Sequence, residues 1–335
     1  TLREGKADLI AIARGLIADQ DLPRKLMEGR IEDIRPCILG GIGCQSRARF
    51  NRTLKCEINP SIGIEPMIIN ANTPAIHPGK VVVIGGGPGG MEAARLAAHR
   101  GHKVTIYEKT HELGGRLIEA SVPEFKKDIR PLIAWLKTQI QKEKVEVKSG
   151  VEATPELINK EKPDVLIVSI GAEYSLPEGI FKDKANILVP EEVTIGNKKV
   201  GDRVIVTGGG SIGCDLAIYL AESQKKHVTL TTRQDEVMKD YDDILTAISI
   251  RERLTTAGVK VKTGVTLQGF SEGKATFLDR EGITWQLDAD TVVVSGGLVP
   301  RSDAAVRFEK SASKVYYIGD CVKVGRIWDA FHTAW

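Results

Sequence analysis

Short apolar runs and glycine turns alternate along this chain in an order that occurs twice. Lys80-Val-Val-Val-Ile84 is continuous and β-branched, as a parallel strand buried on both faces must be. A glycine-rich turn follows at once. Met91 to Arg100 is then alanine-rich with its apolar positions on one helical face, and Lys103-Val-Thr-Ile-Tyr107 reads as the next strand. Gly101 stands where a helix end needs a residue free to take positive φ. The same order returns about 123 residues later, counted from Lys80 to Arg203: Arg203 to Thr207 as strand, Cys214 to Ser223 as helix, His227 to Thr231 as strand. A period that long predicts two related α/β domains and excludes a solenoid. Between them lie an amphipathic stretch from Phe125 to Glu143, with Ile129, Leu132, Ile133, Leu136 and Ile140 on one face, and a strand from Asp164 to Ile170. A linker from Asn70 to Gly79, with Pro74 and Pro78 and no periodicity, sets all this apart from the first 69 residues.

A length of 335 residues exceeds what one core usually fills, which agrees with two or more domains. The 34 glycines against 5% aromatics suit a protein of many tight turns, as an α/β nucleotide binder is. A net charge of +3 is too small to argue for nucleic acid or an anionic membrane as partner, and neither is expected. No apolar run approaches the roughly 18 to 20 residues of a membrane span, and the first 30 residues lack the order of a signal peptide, so a cytoplasmic location is expected. The first residue is Thr1 and the last, Trp335, falls within a helical pattern from Ile327, so truncation at both ends is expected. Three of the five cysteines crowd between Cys37 and Cys56, and an odd, clustered set in a reducing compartment points to metal before disulfides.

The chemistry concentrates in the glycine turns. Gly85-x-Gly87-x-x-Gly90, with Pro88 and Gly89 inside it, follows a strand and opens a helix. In that setting the first glycine permits the tight turn, the second lets a pyrophosphate approach the backbone, and the third allows close helix-on-strand packing. Glu108 ends the second strand, where a carboxylate accepts hydrogen bonds from adenosine ribose hydroxyls. Gly208-x-Gly210-Ser211-Ile212-Gly213 repeats the logic, but Thr232 stands at the position of Glu108 and Arg233 follows it. A carboxylate there would repel a 2′-phosphate, whereas threonine and arginine can bind one, so NADPH is favoured with NADH as the alternative. No Cys-x-x-Cys pair lies near either motif, and Cys214 stands alone at a helix start, which argues against a thioredoxin- or glutathione-type disulfide reductase.

Further segments carry a resemblance to known families. Gly114-Gly115-Arg116 resembles the second flavin signature of flavoproteins with two dinucleotide-binding domains, and Gly319-Asp320 resembles their segment whose aspartate binds the flavin ribityl chain. Val168-Ser-Ile-Gly171-Ala172 and Val292 to Pro300 are similar to the two crossings between their FAD and NAD(P) domains. The resemblance therefore implies an FAD site of Gly85, Gly87, Pro88, Gly89, Gly90, Glu108, Lys109, Gly115, Arg116, Ala153, Gly171, Gly319 and Asp320. For NADP it implies Gly208, Gly210, Ser211, Ile212, Gly213, Thr232, Arg233 and Gly296.

The stretch Gly5 to Asp19, with Arg14, followed by Cys37, Cys44, Cys56 and Asn59-Pro60, resembles the end of the flavin barrel and the cluster loop of the iron–sulfur relatives of old yellow enzyme. These are 2,4-dienoyl-CoA reductase, trimethylamine dehydrogenase and the bacterial enoate reductases. Their Cys-x2-Cys-x3-Cys-x11-Cys pattern would use positions 37, 40, 44 and 56, but Gly40 stands at the second. A non-cysteine ligand, a three-iron cluster or a lost site are the alternatives. Arg14 matches the barrel arginine that contacts the FMN phosphate; the FMN barrel itself would lie upstream, with the substrate-protonating residues, so no catalytic acid is assigned in this chain.

The implied fold is α/β: residues 1–35 as the tail of a (β/α)8 barrel, 36–75 as Cys-rich loop and linker, 76–175 with 296–335 as a Rossmann-like FAD domain, and 176–295 as a Rossmann-like NAD(P)H domain. The implied function is electron transfer from NADPH through FAD, and through an iron–sulfur centre if one forms, to an FMN barrel that reduces an activated C=C bond. A nucleotide-binding structural module holding ADP or FAD, and a parent amine dehydrogenase, are the alternatives.

Overall fold

The computed structural model describes residues 2–66, 73–176, 186–196, 198–239, 241 and 243–335. It divides into two compact units. The first comprises Thr1–Leu117, Asp128–Gly171 and Arg301–Trp335, and the second Ile118–Lys127 and Ala172–Pro300. The polypeptide leaves the first unit after Leu117 and returns at Asp128, then leaves again after Gly171 and returns at Arg301. The antiparallel pairing of Ala172–Tyr174 with Leu298–Pro300 draws both crossing segments into the second unit.

The first unit is built on a five-stranded parallel sheet in the order Lys314–Tyr317, Val165–Val168, Lys80–Ile84, Lys103–Glu108, Glu146–Ser149. Val82, Ile84, Leu166 and Val168 are buried in it, which is why these runs show no polar alternation. The helix Pro88–His99 starts with proline in its first turn, where the missing N–H costs nothing, and ends before Gly101 at φ +92°. Its neighbour, expected from Phe125, begins at Ile129 and runs to Lys142; Pro131 is tolerated because it lies in the first turn. The expected N-terminal turns of that helix are instead a single 3-10 turn, Glu124–Lys126. Phe125 packs against the core of the second unit beneath the Arg253 guanidinium, and Lys126 pairs with Asp215 at 3.0 Å. An aromatic side chain with another core within reach outweighs the helical periodicity of its own segment.

The second unit repeats the parallel sheet in the order Ile187–Leu188, Thr291–Val294, Arg203–Thr207, His227–Thr231, Lys260–Lys262. One face is covered by helices Ser211–Glu222 and Ile244–Thr256. The other is covered by an antiparallel meander, Thr266–Ser271, Lys274–Leu278 and Thr284–Asp288, whose Phe277 is fully buried.

Before Lys80 no strand occurs among the described residues. Leu9-Ile10-Ala11-Ile12, an apolar run in the segment expected to be a barrel tail, has no regular secondary structure, with Leu9 89% exposed. A strand exists only through hydrogen bonds to a neighbour, and among the described residues no strand pairs with this segment. Two short helices follow, Arg14–Ala18 and Leu22–Met27.

What fastens this segment to the sheet is a buried charge cluster. Glu92, on the helix Pro88–His99 and wholly buried, accepts from Arg95 Nε at 2.9 Å, from Arg35 at 3.2 Å and from Trp335 Nε1 at 3.1 Å. Arg35 in turn lies over the Trp135 ring and donates to the Ile58 carbonyl. Burial pushes the Glu92 carboxyl up, but the Arg35 and Arg95 guanidiniums outweigh it and hold the group at about 2. A folded-state value below the unfolded one stabilises at every pH above the ordinary glutamate range near ~4.3, and the contribution is lost as pH falls towards 2. We expect Glu92→Gln to lower unfolding stability at neutral pH by about 3 kcal/mol, because two buried guanidiniums lose their counter-charge. The loss should shrink steadily in denaturant titrations repeated towards acid pH.

Candidate functional site

In the first unit, Gly85 has φ +100°, donates its N–H to the Tyr107 carbonyl at 2.8 Å, and leaves no room for a Cβ against Ser169. A Cβ on Gly90 would overlap the Gly85 carbonyl, so the third glycine of the motif lets the helix start against the turn. Gly87 differs: nothing lies within 4 Å of where its Cβ would be. The turn is thus closed on the sheet side and open at the helix start, whose first N–H groups form the kind of cradle that takes a pyrophosphate. Gly89 approaches the Ala330 carbonyl, which packs helix Ile327–Thr333 against this end.

Glu108 is 8% exposed, and its carboxylate braces the turn: Oε2 accepts the Gly86 N–H at 2.7 Å and Oε1 the Thr110 N–H at 2.8 Å. Lys109 beside it is exposed. Gly114 donates to the Gly86 carbonyl at 2.9 Å, and Gly115, at φ +51°, lies against the Gly87 backbone, so the Gly-Gly-Arg segment is folded onto the first turn. The Arg116 charge reaches Asp320, whose carboxyl is pushed up by burial and drawn down by the Gly325 N–H and by Arg116. Segments more than 200 residues apart in sequence, from Gly85 to Asp320, therefore meet at one sheet end. Gly171 (φ +72°) and Gly319 (φ +66°) turn the chain at that end, whereas Ala153 is half-buried against the hydrophobic core of the first unit.

The second unit repeats the arrangement. Gly208 has φ +124° and donates to the Thr231 carbonyl at 2.8 Å, a Cβ on Gly213 would overlap the Gly208 carbonyl, and the Gly210 side is open ahead of Ser211 and Ile212. Thr232, 5% exposed, stands against Gly209 as Glu108 stands against Gly86. Its hydroxyl accepts the Gln234 N–H at 3.2 Å. Arg233 is exposed, and Gly296 lies exposed in the turn after Thr291–Val294.

Several residues at these sites were not singled out by the sequence reading. Ser169 Oγ donates to the Ile84 carbonyl at 2.9 Å and Ser295 Oγ to the Thr207 carbonyl at 3.0 Å, so each glycine turn is pinned by a serine from the neighbouring strand end. Their matched places in the two crossing segments were the signal. Arg280, donating to the Arg233 carbonyl at 3.3 Å, brings a second guanidinium to the edge beside Thr232, and 47 residues of separation hide it from any local pattern.

The three N-terminal cysteines are half-buried free thiols around the turn Ile42–Ser46. Leu39, at φ +59°, donates its N–H to Cys37 Sγ at 3.4 Å. The Lys55 N–H bonds to the Gly43 carbonyl at 2.8 Å, which brings Cys56 against the loop carrying Cys44. Burial pushes both the Cys44 and Cys56 thiols up, and the charge of Cys37 adds to each. Among the described residues no three His, Cys, Asp or Glu side chains gather closely enough for a single metal ion. Glu57, 7% exposed, places its carboxylate beside Gly40.

A family model, described as pyridine nucleotide-disulphide oxidoreductase, matches residues 79–335, which span both glycine cradles. The chain belongs to this family. The family implies FAD and a nicotinamide nucleotide as cofactors, and cradles closed to a Cβ on the sheet side and open at Gly87 and Gly210 fit dinucleotides. The chain is 36% identical to an NADH oxidase of Thermoanaerobacter brockii, over all of this chain and 52% of that protein. It is 33% identical to a cinnamate reductase of Clostridium sporogenes, over 98% of this chain and 50% of that protein. A 2-naphthoyl-CoA reductase in complex with 2-naphthoyl-CoA superposes with a TM-score of 0.94 at 34% identity, covering 99% of this chain and 50% of that one. The chain thus spans about half the length of these relatives and corresponds to their C-terminal part, within the group related to 2,4-dienoyl-CoA reductase and old yellow enzyme. Among the described residues no helix is long and apolar enough to cross a membrane.

The two kinds of motif glycine separate in an experiment. Alanine at Gly90 or Gly213 should lower unfolding stability by about 1–3 kcal/mol through overpacking against a carbonyl. Alanine at Gly87 or Gly210 should leave it within about 0.5 kcal/mol, because those positions face open space. Equal losses at all four in chemical denaturation would contradict the geometry.

Proposed function

We propose that this chain is the NAD(P)H-oxidising, electron-input part of a larger flavin-dependent reductase. FAD is assigned to the Gly85 cradle and the nicotinamide nucleotide to the Gly208 cradle. The observation that carries the assignment is the contrast at one equivalent position, Glu108 against Gly86 and Thr232 against Gly209. Glu108 retains lone pairs for ribose hydroxyls while bracing the first turn, and Gly115, Arg116 and Asp320 supply the extra contacts a flavin needs beyond its adenosine half. When bound, the nicotinamide supplies a hydride and the flavin accepts it and passes on electrons.

In the second cradle, Thr232 removes the negative charge that would oppose a 2′-phosphate, and Arg233 with Arg280 offers two guanidiniums at that edge. The reading therefore favours NADPH. The three-cysteine loop is assigned to an iron–sulfur centre that carries electrons onward to an FMN barrel. Relatives of twice the length named cinnamate reductase and 2-naphthoyl-CoA reductase support reduction of an activated C=C bond as the activity of the whole protein. Cys37, Cys44 and Cys56 are soft donors suited to iron–sulfur chemistry, and the N–H of Leu39 on Cys37 Sγ stabilises negative charge on sulfur.

The pure protein should show flavin absorbance that NADPH bleaches under anaerobic conditions. A colourless protein that FAD cannot reconstitute would sink the reading in favour of a structural nucleotide-binding module. Gly87→Ala should lose flavin affinity by about tenfold or more while unfolding stability is retained, since its Cβ would enter the space assigned to the pyrophosphate. For the nicotinamide, kcat/KM should be higher with NADPH than with NADH. The double variant Arg233→Ala/Arg280→Ala should reduce that ratio by about tenfold or more, the scale of a charge-assisted contact. A wild-type preference for NADH would refute the role given to these residues.

A further inference from the structure

After the strand His227–Thr231, the residues Arg233 to Glu236 bridge two buried ends of the chain. Thr232 is 5% exposed, Arg233, Asp235 and Glu236 lie at the surface, and Val237 and Met238 are buried again at 5% and 4% exposure. Val237 and Met238 join the core that holds Cys214 and Leu216 of the helix Ser211–Glu222. Met238 has φ +58°, which side chains of its size rarely adopt, and its N–H bonds to the Gly209 carbonyl of the glycine turn at 2.8 Å. Strained backbone of this kind persists only where its surroundings fix it, and it gathers at ligand sites. Within the bridge, the Gln234 carbonyl accepts the Gly264 N–H at 2.8 Å. Arg251 makes the remaining hold. From the helix Ile244–Thr256 its Nε donates to the Val237 carbonyl at 2.9 Å, and its Nη2 pairs with Glu236 Oε2 at 3.0 Å.

We propose that Arg251 is a positioning residue for recognition of the adenosine 2′-phosphate: it fastens the bridge Arg233–Glu236 to its own helix, so that Arg233 stands in place before the nucleotide arrives. The inference rests on the reading above that the Gly208 cradle takes NADPH with Arg233 and Arg280 at its phosphate. An arginine on a loose segment loses conformational entropy when it engages a phosphate, and one whose backbone is already fixed loses less. Met238 and Arg251 fix the far end of the bridge, one through the glycine turn and the other through the helix, while buried Thr232 fixes the near end. The ion pair has a second effect. It engages the Glu236 carboxylate, an anion three residues from Arg233 that would otherwise oppose a phosphate. Arg251 acts through Arg233, since its Nε and Nη2 are engaged by Val237 and Glu236. NADH has no 2′-phosphate for Arg233 to meet, so the effect of Arg251 belongs to the phosphorylated nucleotide alone.

The test measures the Kd of NADP+ and of NAD+ on the full chain by titration calorimetry, a binding readout that needs no turnover. Arg251→Ala should raise the NADP+ Kd by about fivefold and leave the NAD+ Kd within about twofold of wild type. In an Arg233→Ala background, Arg251→Ala should move the NADP+ Kd by less than about twofold, because a residue that acts through Arg233 then has nothing to position. Met238→Gly frees the same end of the bridge at a φ that glycine adopts readily. It should repeat the selective loss for NADP+ and serves as the second variant if Arg251→Ala does not fold. An unchanged NADP+ Kd, equal losses for NADP+ and NAD+, or an undiminished effect in the Arg233→Ala background would each overturn the inference while leaving the wild-type preference for NADP+ in place. A wild type that binds NAD+ more tightly than NADP+ would overturn the reading on which the inference rests, and the inference with it.

Discussion

One wholly buried carboxylate, Glu92, holds the first unit together across its sequence. It lies on the helix that opens at the Gly85 turn and gathers Arg35 from the N-terminal segment, Arg95 from its own helix and Trp335 from the last residue of the chain. A buried charge is tolerable only when paired and hydrogen-bonded, so the cluster constrains all its partners at once. Two residues beyond Arg35 stands Cys37, and the Ile58 carbonyl that Arg35 contacts is two residues beyond Cys56. The geometry of the cysteine loop thus depends on an ion pair rooted in the nucleotide-binding helix. His332 adds a second tie, with Nε2 2.9 Å from the Cys56 carbonyl.

The two cradles show how one backbone design is tuned by few side chains. Both turn on a glycine at positive φ pinned by a serine from the adjacent strand, both start a helix on a glycine too crowded for a Cβ, and both leave the middle glycine open. Their difference lies in what braces the turn. In the first a carboxylate does so; in the second a threonine does so, with Arg233 and Arg280 nearby. On the proposed assignment, the shared backbone shape suits a dinucleotide and the side-chain charge at this one position distinguishes the two.

The sequence by itself determined a good deal. Continuous β-branched runs can only be buried parallel strands, and glycines at fixed offsets after such a strand can only serve a tight strand-to-helix turn, so both parallel cores and both cradles were readable from local pattern. Matching of Glu108 with Thr232 followed from that alignment alone. The order of flavin-like segments likewise implied an insertion of one domain in the other.

Only the tertiary structure decided the rest, because it turned on contacts between residues far apart in sequence. Periodicity placed Phe125 in a helix, yet the core of the second unit claims its ring. The apolar run Leu9 to Ile12 has no regular secondary structure, because a strand needs a neighbour that local pattern does not supply. Arg280 joins Arg233 across 47 residues, and Glu92 joins Arg35 across 57. At the cysteine loop, spacing identified a gap at Gly40 but gave no hint of what fills it. Glu57 is 17 residues along the chain, and only folding places its carboxylate in that gap.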